Sequence, residues 1–181
     1  MRIVLAITTL MLANIVGAQQ AQTRANPATA LSPKAMEAYE LKAESKAGEF
    51  FNYVELLTDP TANAEMKTQT TAEAAKLYEN DGITIENIFD AKGNVVTVKK
   101  LLELAASQKQ KASLSMTTFN IMKRGENSRR KDWLMTYELI IGKRVLTVSQ
   151  GFYIVLEDKK FGTTIKQVWN SYLGEMRIIK K

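Results

Sequence analysis

The chain has no cysteine and no histidine. Without cysteine it forms no disulfide and carries no bacterial lipid anchor on an N-terminal cysteine, so packing alone must hold it. Without histidine the commonest general base and metal ligand are gone. Apolar runs are short as well. The stretch from Ile3 to Val16 falls below the ~20 residues that a bilayer-spanning helix needs. Beyond residue 33 there is no internal repeat and no low-complexity block.

What is present is an ordinary globular balance: 181 residues, 45% hydrophobic and 24% charged, with a formal charge of +6. Arg2, the apolar stretch after it and Val16-Gly17-Ala18 follow the pattern of a secretory signal peptide over residues 1–18. The expected destination is the periplasm or exterior of a bacterium. Residues 19–33, small and polar with two prolines, read as a flexible leader. Residues 34–181 then form a single domain. Its mild positive balance favours acidic partners and solubility.

Apolar positions recur at helical spacing from Lys34 to Leu57, through Met36, Ala43, Ala47, Phe50, Val54 and Leu57. Asp59 and Pro60 predict the start of a second helix running to about Tyr78, with Met66, Thr70, Ala74 and Leu77 inward. A strand over 83–89 and a third helix with Val98, Leu101, Leu102 and Ala105 on one side follow. The rest, 112–180, reads as four long strands.

Gly142-Lys143 suits a two-residue type II′ turn, and that turn fixes a register. It sets Ile141 opposite Arg144, Leu139 opposite Leu146, Tyr137 opposite Val148, Met135 opposite Gln150 and Trp133 opposite Phe152. One face is then apolar apart from Gln150, and a slip of one residue would ruin the match. Gly151, mid-strand on the other face, marks a bend or bulge. Ile165, Gln167, Trp169 and Leu173 join the apolar face if the connection near residue 161 preserves an odd register sum.

Long helix, second helix, short strand, third helix and a long antiparallel meander, with "FFNYVELL" (50–57) closing the first helix, resemble the nuclear-transport-factor-2-like (cystatin-like) superfamily. The resemblance is one of architecture. It implies an α+β cone in which three N-terminal helices pack into a curved antiparallel sheet, leaving a pocket at the open end. It covers isomerases, hydrolases and dehydratases as well as binding and assembly domains, so fold alone does not choose.

The enzymatic members use carboxylates, histidines and tyrosines in that pocket. Here the positions expected to face it carry no Asp or Glu, and Glu37, Glu40, Glu44 and Glu49 lie off the apolar stripe of the first helix. The pocket candidates are Phe50, Tyr53, Trp133, Tyr137, Gln150, Phe152, Gln167 and Trp169. Gln150 and Gln167 are either orienting groups for a ligand or satisfied core amides, and the aromatics at helical spacing read equally as core.

The stretch "KRGENSRRKD" (123–132) crowds Lys123, Arg124, Arg129, Arg130 and Lys131 at a hairpin tip, with cations facing across the strands. It is either a grip for an anionic envelope component or acidic protein, or a solvated turn. No aromatics interleave with these charges, which makes nucleic acid a poor fit. The run "FYIVL" (152–156) is apolar on both faces. Tyr153 and Val155, with Leu134, Ile140 and Val145, call for a cover on the sheet's back, from a second copy or from the C-terminal "MRIIKK" folding over.

These features define an exported, non-catalytic binding or assembly module able to hold a small apolar ligand in the cone, and a homodimer. They point to no cofactor, no metal site and no catalytic residue. The alternatives are a small-molecule isomerase or hydrolase using tyrosines and amides, and an envelope-complex subunit that works through the basic hairpin.

Overall fold

The computed structural model describes residues 31–90 and 93–179. The expected signal peptide and residues 19–30 of the leader lie outside the described residues.

Helix α1 (Pro33–Thr58) starts where Ser32 accepts a bond from the Ala35 N–H at 3.2 Å, with proline in the first turn. Ala43, Ala47, Phe50, Val54 and Leu57 are buried, as the spacing predicts, and Phe51 joins them. Asp59 does not cap the second helix. Its Oδ1 accepts from the Thr61 N–H at 2.9 Å and from the Thr61 hydroxyl at 2.7 Å, closing a turn on itself. Asn63 is left to cap α2 (Ala64–Ala75), accepting from the Met66 N–H at 2.8 Å.

Helix α2 ends before Tyr78 because the chain is drawn to the sheet. The Leu173 N–H donates to the Leu77 carbonyl at 2.9 Å, and Tyr78 bridges Leu173. Ala74 is the buried residue of α2, while Met66, expected inward, is exposed.

A short hairpin, β1 (Thr84–Glu86) and β2 (Val95–Thr97), leads into α3 (Val98–Ala106), which Thr97 caps. Val98, Leu101, Leu102 and Ala105 are buried. The meander β3 (Leu114–Glu126), β4 (Arg130–Ile141), β5 (Arg144–Phe161) and β6 (Thr164–Ile179) completes a six-stranded sheet in the order β2-β1-β6-β5-β4-β3. The result is the expected α+β architecture of helices against one sheet. The sheet is mixed rather than wholly antiparallel, since β1 runs parallel to β6 through Ile85 and Met176.

The β4–β5 register is the one the turn predicts. Leu139 pairs with Leu146, Tyr137 with Val148, Met135 with Gln150 and Trp133 with Phe152, around Gly142 at φ +59. The β5–β6 turn is also tight: Phe161 pairs with Thr164 around Gly162, and Leu156 faces Trp169. Between Gln150 and Phe152 the register shifts, so Met176 faces the core past the bulge.

Residues 176–179 remain in β6 and do not fold over the sheet. At Tyr153 the expected cover comes from within the chain. The Arg130 guanidinium stacks 3.9 Å from its ring, Tyr172 lies 5.9 Å away, and its hydroxyl donates to Glu79 at 2.9 Å.

Candidate functional site: an arginine-lined cleft on the outer face of the sheet

The inner face is packed. Phe50, Trp133, Tyr137 and Phe152 are buried in one core cluster with the helices, and Gln150 is buried too. Phe50 meets Tyr78 edge-on at 5.2 Å, and Trp133 lies 5.7 Å from Phe152. Gln150 is satisfied at both ends. Its Oε1 accepts from the Tyr137 hydroxyl at 2.7 Å, and its Nε2 donates to the Tyr78 hydroxyl at 3.1 Å. Burial pushes the phenols of Tyr78 and Tyr137 well above the ordinary range, so both stay neutral.

The other candidates sit at or beyond the margin. Tyr53 is half-buried and donates to Glu49 on its own helix at 3.0 Å. The backbone carbonyl of half-buried Trp169 accepts from the Tyr39 hydroxyl at 3.3 Å, and its indole N–H is buried without an acceptor among the described residues. Gln167, expected beside Gln150, is exposed opposite Asp158, because β5 and β6 run on past the helices. Glu40 departs from expectation in the other direction: it accepts from the Trp133 indole at 3.0 Å.

Cations do not face each other at the basic hairpin. Glu126 pairs with Lys131, Gly125 pairs with Asp132, and a register shift after Lys123 takes Arg124 out of the ladder. Glu126 accepts from Lys123 at 2.9 Å and from Lys131 at 3.1 Å, and these bonds hold its carboxyl below the usual range. Arg130 pairs with Asp132 at 2.8 Å. Arg129 donates to the Leu156 carbonyl at 3.2 Å and lies 4.0 Å from Asp158. Arg124 makes no ion pair among the described residues; it lines a cleft.

That cleft, about 520 Å³ in volume, lies on the face of the sheet opposite the helices. Its floor is Gly151 and Gly174, facing each other across the β5–β6 bulge. A Cβ on Gly174 would come 3.3 Å from the Gly151 Cα, a tight contact that would push the strands apart by a few tenths of an ångström. Arg124, Arg130, Leu134 and Tyr153 line the cleft with Arg177 and the 80–84 segment. The bonds from Leu173 to Leu77 and from Tyr153 to Glu79 draw that segment over the β6 edge.

The cleft is positive. Asp132 offsets Arg130, and Glu175 lies 3.4 Å from Arg177, while Arg124 has no ion pair among the described residues. Arg177 is loosely held, donating to Thr84 and Glu175 at 3.4 Å each, with its Nη1 buried and without a partner among the described residues. Burial, and then the bond to Glu79, pushes the Tyr153 phenol up. Tyr172 beside it is pushed up to about 12, first by burial and then by its bond to Glu157. The arrangement therefore offers guanidinium groups and the neutral Tyr153 phenol beside an open glycine floor, which suits capture of an anion with an apolar body. No group of three or more potential metal ligands gathers among the described residues.

In sequence, Gly151 and two cations of the basic stretch, Arg124 and Arg130, point to this place. Gly174, the partner of Gly151, occupies the matching position on the next strand, but the bulge that joins them is a property of the pairing.

No protein-family model and no curated protein matches the chain. Among solved structures it is similar to the yeast deubiquitinase Ubp3 and Bre5 cofactor complex, at 16% identity and TM-score 0.40 over 83% of this chain and 100% of that chain. It is similar to a scytalone dehydratase-like protein of Novosphingobium aromaticivorans at 15% identity and TM-score 0.39, over 81% of this chain and 89% of that one. SalBIII, an epoxide hydrolase/cyclase-like enzyme of salinomycin pyran-ring formation, follows at 10% identity and TM-score 0.30, over 77% and 98%. At these values no role of theirs transfers to this chain.

Proposed function

We propose that this protein is an exported, non-catalytic binding module that takes a small anionic ligand with an apolar body into the outer-face cleft. The observation that carries the reading is Arg124, a cation without a counter-charge among the described residues, beside a floor made of two glycines. The interior of the cone is a poorer place for a ligand, since Phe50, Tyr137 and Gln150 occupy it. The enzyme alternative loses support for the same reason: the buried phenols are neutral and already hydrogen-bonded. The basic hairpin contributes mainly Arg124, because its other cations are engaged within the chain. Val145 and Met122 are exposed on the same side of the sheet. We therefore keep a sheet-to-sheet homodimer in the reading, packed beside the cleft.

Anilinonaphthalene sulfonate, an anion with an apolar body that fluoresces when desolvated, is a suitable probe. It should bind the mature protein saturably, and Arg124→Ser and Gly151→Ala should each weaken the binding with the fold intact. Equal affinity in both variants and wild type would remove the cleft from the reading.

A further inference from the structure

The β5–β6 hairpin reaches beyond the rest of the sheet. The last β4 partner of β5 is Arg130, opposite Val155. On its other side β6 is contacted at Leu173 and Met176. Residues 157–168 are thus a two-stranded ribbon with no ladder partner on either edge among the described residues, extending about 20 Å past Val155 at the usual rise per residue. An isolated ribbon of this kind is marginal in water.

The tip of the ribbon is apolar on both faces. Phe161 is 53% exposed and Ile165 is 68% exposed. Phe161 shares one face with Lys159 and Lys166, while Ile165 shares the other with Lys160, its cross-strand partner. No acidic residue lies between 159 and 168. The carboxylates at the root are engaged: Glu157 accepts from Tyr172 at 2.8 Å, and Asp158 lies 4.0 Å from Arg129. Lys159 donates to a neutral partner, Asn170, at 2.9 Å. The ribbon therefore ends in two bulky apolar side chains with uncompensated lysines close behind them on both faces.

We propose that this arm docks the protein on an anionic lipid surface, with Phe161 and Ile165 below the headgroups and Lys159, Lys160 and Lys166 among them. The symmetry of the tip favours a bilayer over a protein groove. A groove engages one face of a strand pair, whereas here apolar and cationic groups surround the ribbon axis, as suits a medium that is apolar inside and anionic at its surface. Lysines on free edges also discourage edge-to-edge pairing, but that role does not account for two exposed apolar residues at the tip.

The test is co-sedimentation of the mature protein with phosphatidylcholine vesicles, with and without phosphatidylglycerol. Binding should require the anionic lipid and weaken with salt. Phe161→Ser with Ile165→Ser should remove most of it while leaving the thermal midpoint in place, since both side chains are exposed. Changing Lys159, Lys160 and Lys166 to serine should lower partitioning roughly a hundredfold, at about fivefold for each lysine. In the wild-type protein, anionic vesicles should protect the arm from trypsin at Lys159 and Lys160, a readout that needs no variant to fold.

Three results would overturn the proposal. One is no vesicle binding at low salt. Another is binding that survives both arm variants but is lost in Arg124→Ser with Arg129→Ser, which would move the contact to the 123–132 hairpin. The last is arm variants that lose self-association instead of vesicle binding, which would make the arm a contact between copies.

Discussion

Replacing Gln150 with leucine should destabilise the protein by about 2 kcal/mol, within the roughly 1–3 kcal/mol expected for a buried polar group left without its partner. Gln150 is fully buried and joins two tyrosines that are themselves buried. Leucine deletes the acceptor 2.7 Å from the Tyr137 hydroxyl and the donor 3.1 Å from the Tyr78 hydroxyl. Tyr137 is then left with the Met176 sulfur at 3.8 Å, a weak acceptor. Against this loss, leucine has no amide to desolvate and packs well among apolar neighbours. The stranded hydroxyls decide the sign. Urea denaturation should show a midpoint lower by roughly 1 M at an unchanged slope. The account makes a sharper demand on the variant that also changes Tyr78 and Tyr137 to phenylalanine. With every polar atom of the network removed together, most of the lost stability should return. A Gln150→Leu protein as stable as wild type, or a triple variant no better than the single one, would refute the reasoning.

Gly174→Ala should destabilise by roughly 1–3 kcal/mol in the same assay, because its methyl meets the Gly151 backbone at 3.3 Å. Gly151→Ala should stay within about 1 kcal/mol of wild type, since its methyl finds ordinary contacts from 3.5 Å. Stability should be whole below pH 10 and fall as pH rises above it. The raised phenols of Tyr78, Tyr137, Tyr153 and Tyr172 keep their protons in the fold through about 12 for Tyr172, while the unfolded chain loses them near 10.0. Denaturation midpoints that stay level up to pH 11 would contradict this. Intact mass of the exported protein should show a chain beginning at or near Gln19; a mass that includes Met1 would remove the signal peptide. Sedimentation at high protein concentration should reveal dimers, and monomers alone would remove the sheet-to-sheet homodimer.

Where local chemistry decides a feature, the sequence reveals it. The Gly142-Lys143 turn admits one hairpin geometry, and alternation along β4 and β5 leaves one register that buries Tyr137, Met135 and Trp133 together. The stripe of α1 is legible for the same reason, because a helix has one period. Where two nearby residues compete for the same role, or a distant strand intervenes, it does not. Asp59 and Asn63 are both good caps, and only the closed turn at Asp59 assigns the role to Asn63. Leu77 and Tyr78 continue a helical pattern, yet the pull of Leu173 ends α2 before them.

Parity alone places Gln167 with Gln150, and parity is blind to how far a hairpin outruns the helices that would cover it. The cleft was least legible of all. Gly151 marks the bulge, but setting Gly174 opposite it and bringing the 80–84 segment over a strand edge leave no local signature.

The proposed ligand site lies on the outer face of the sheet and not inside the cone. Amide chemical shifts recorded while anilinonaphthalene sulfonate is titrated into the labelled mature protein test it directly. The account predicts that the perturbed amides cluster at Gly151, Tyr153, Gly174 and Arg177, with Arg124 at the rim. Perturbations centred instead on Phe50, Tyr137 and Gln150 would contradict it.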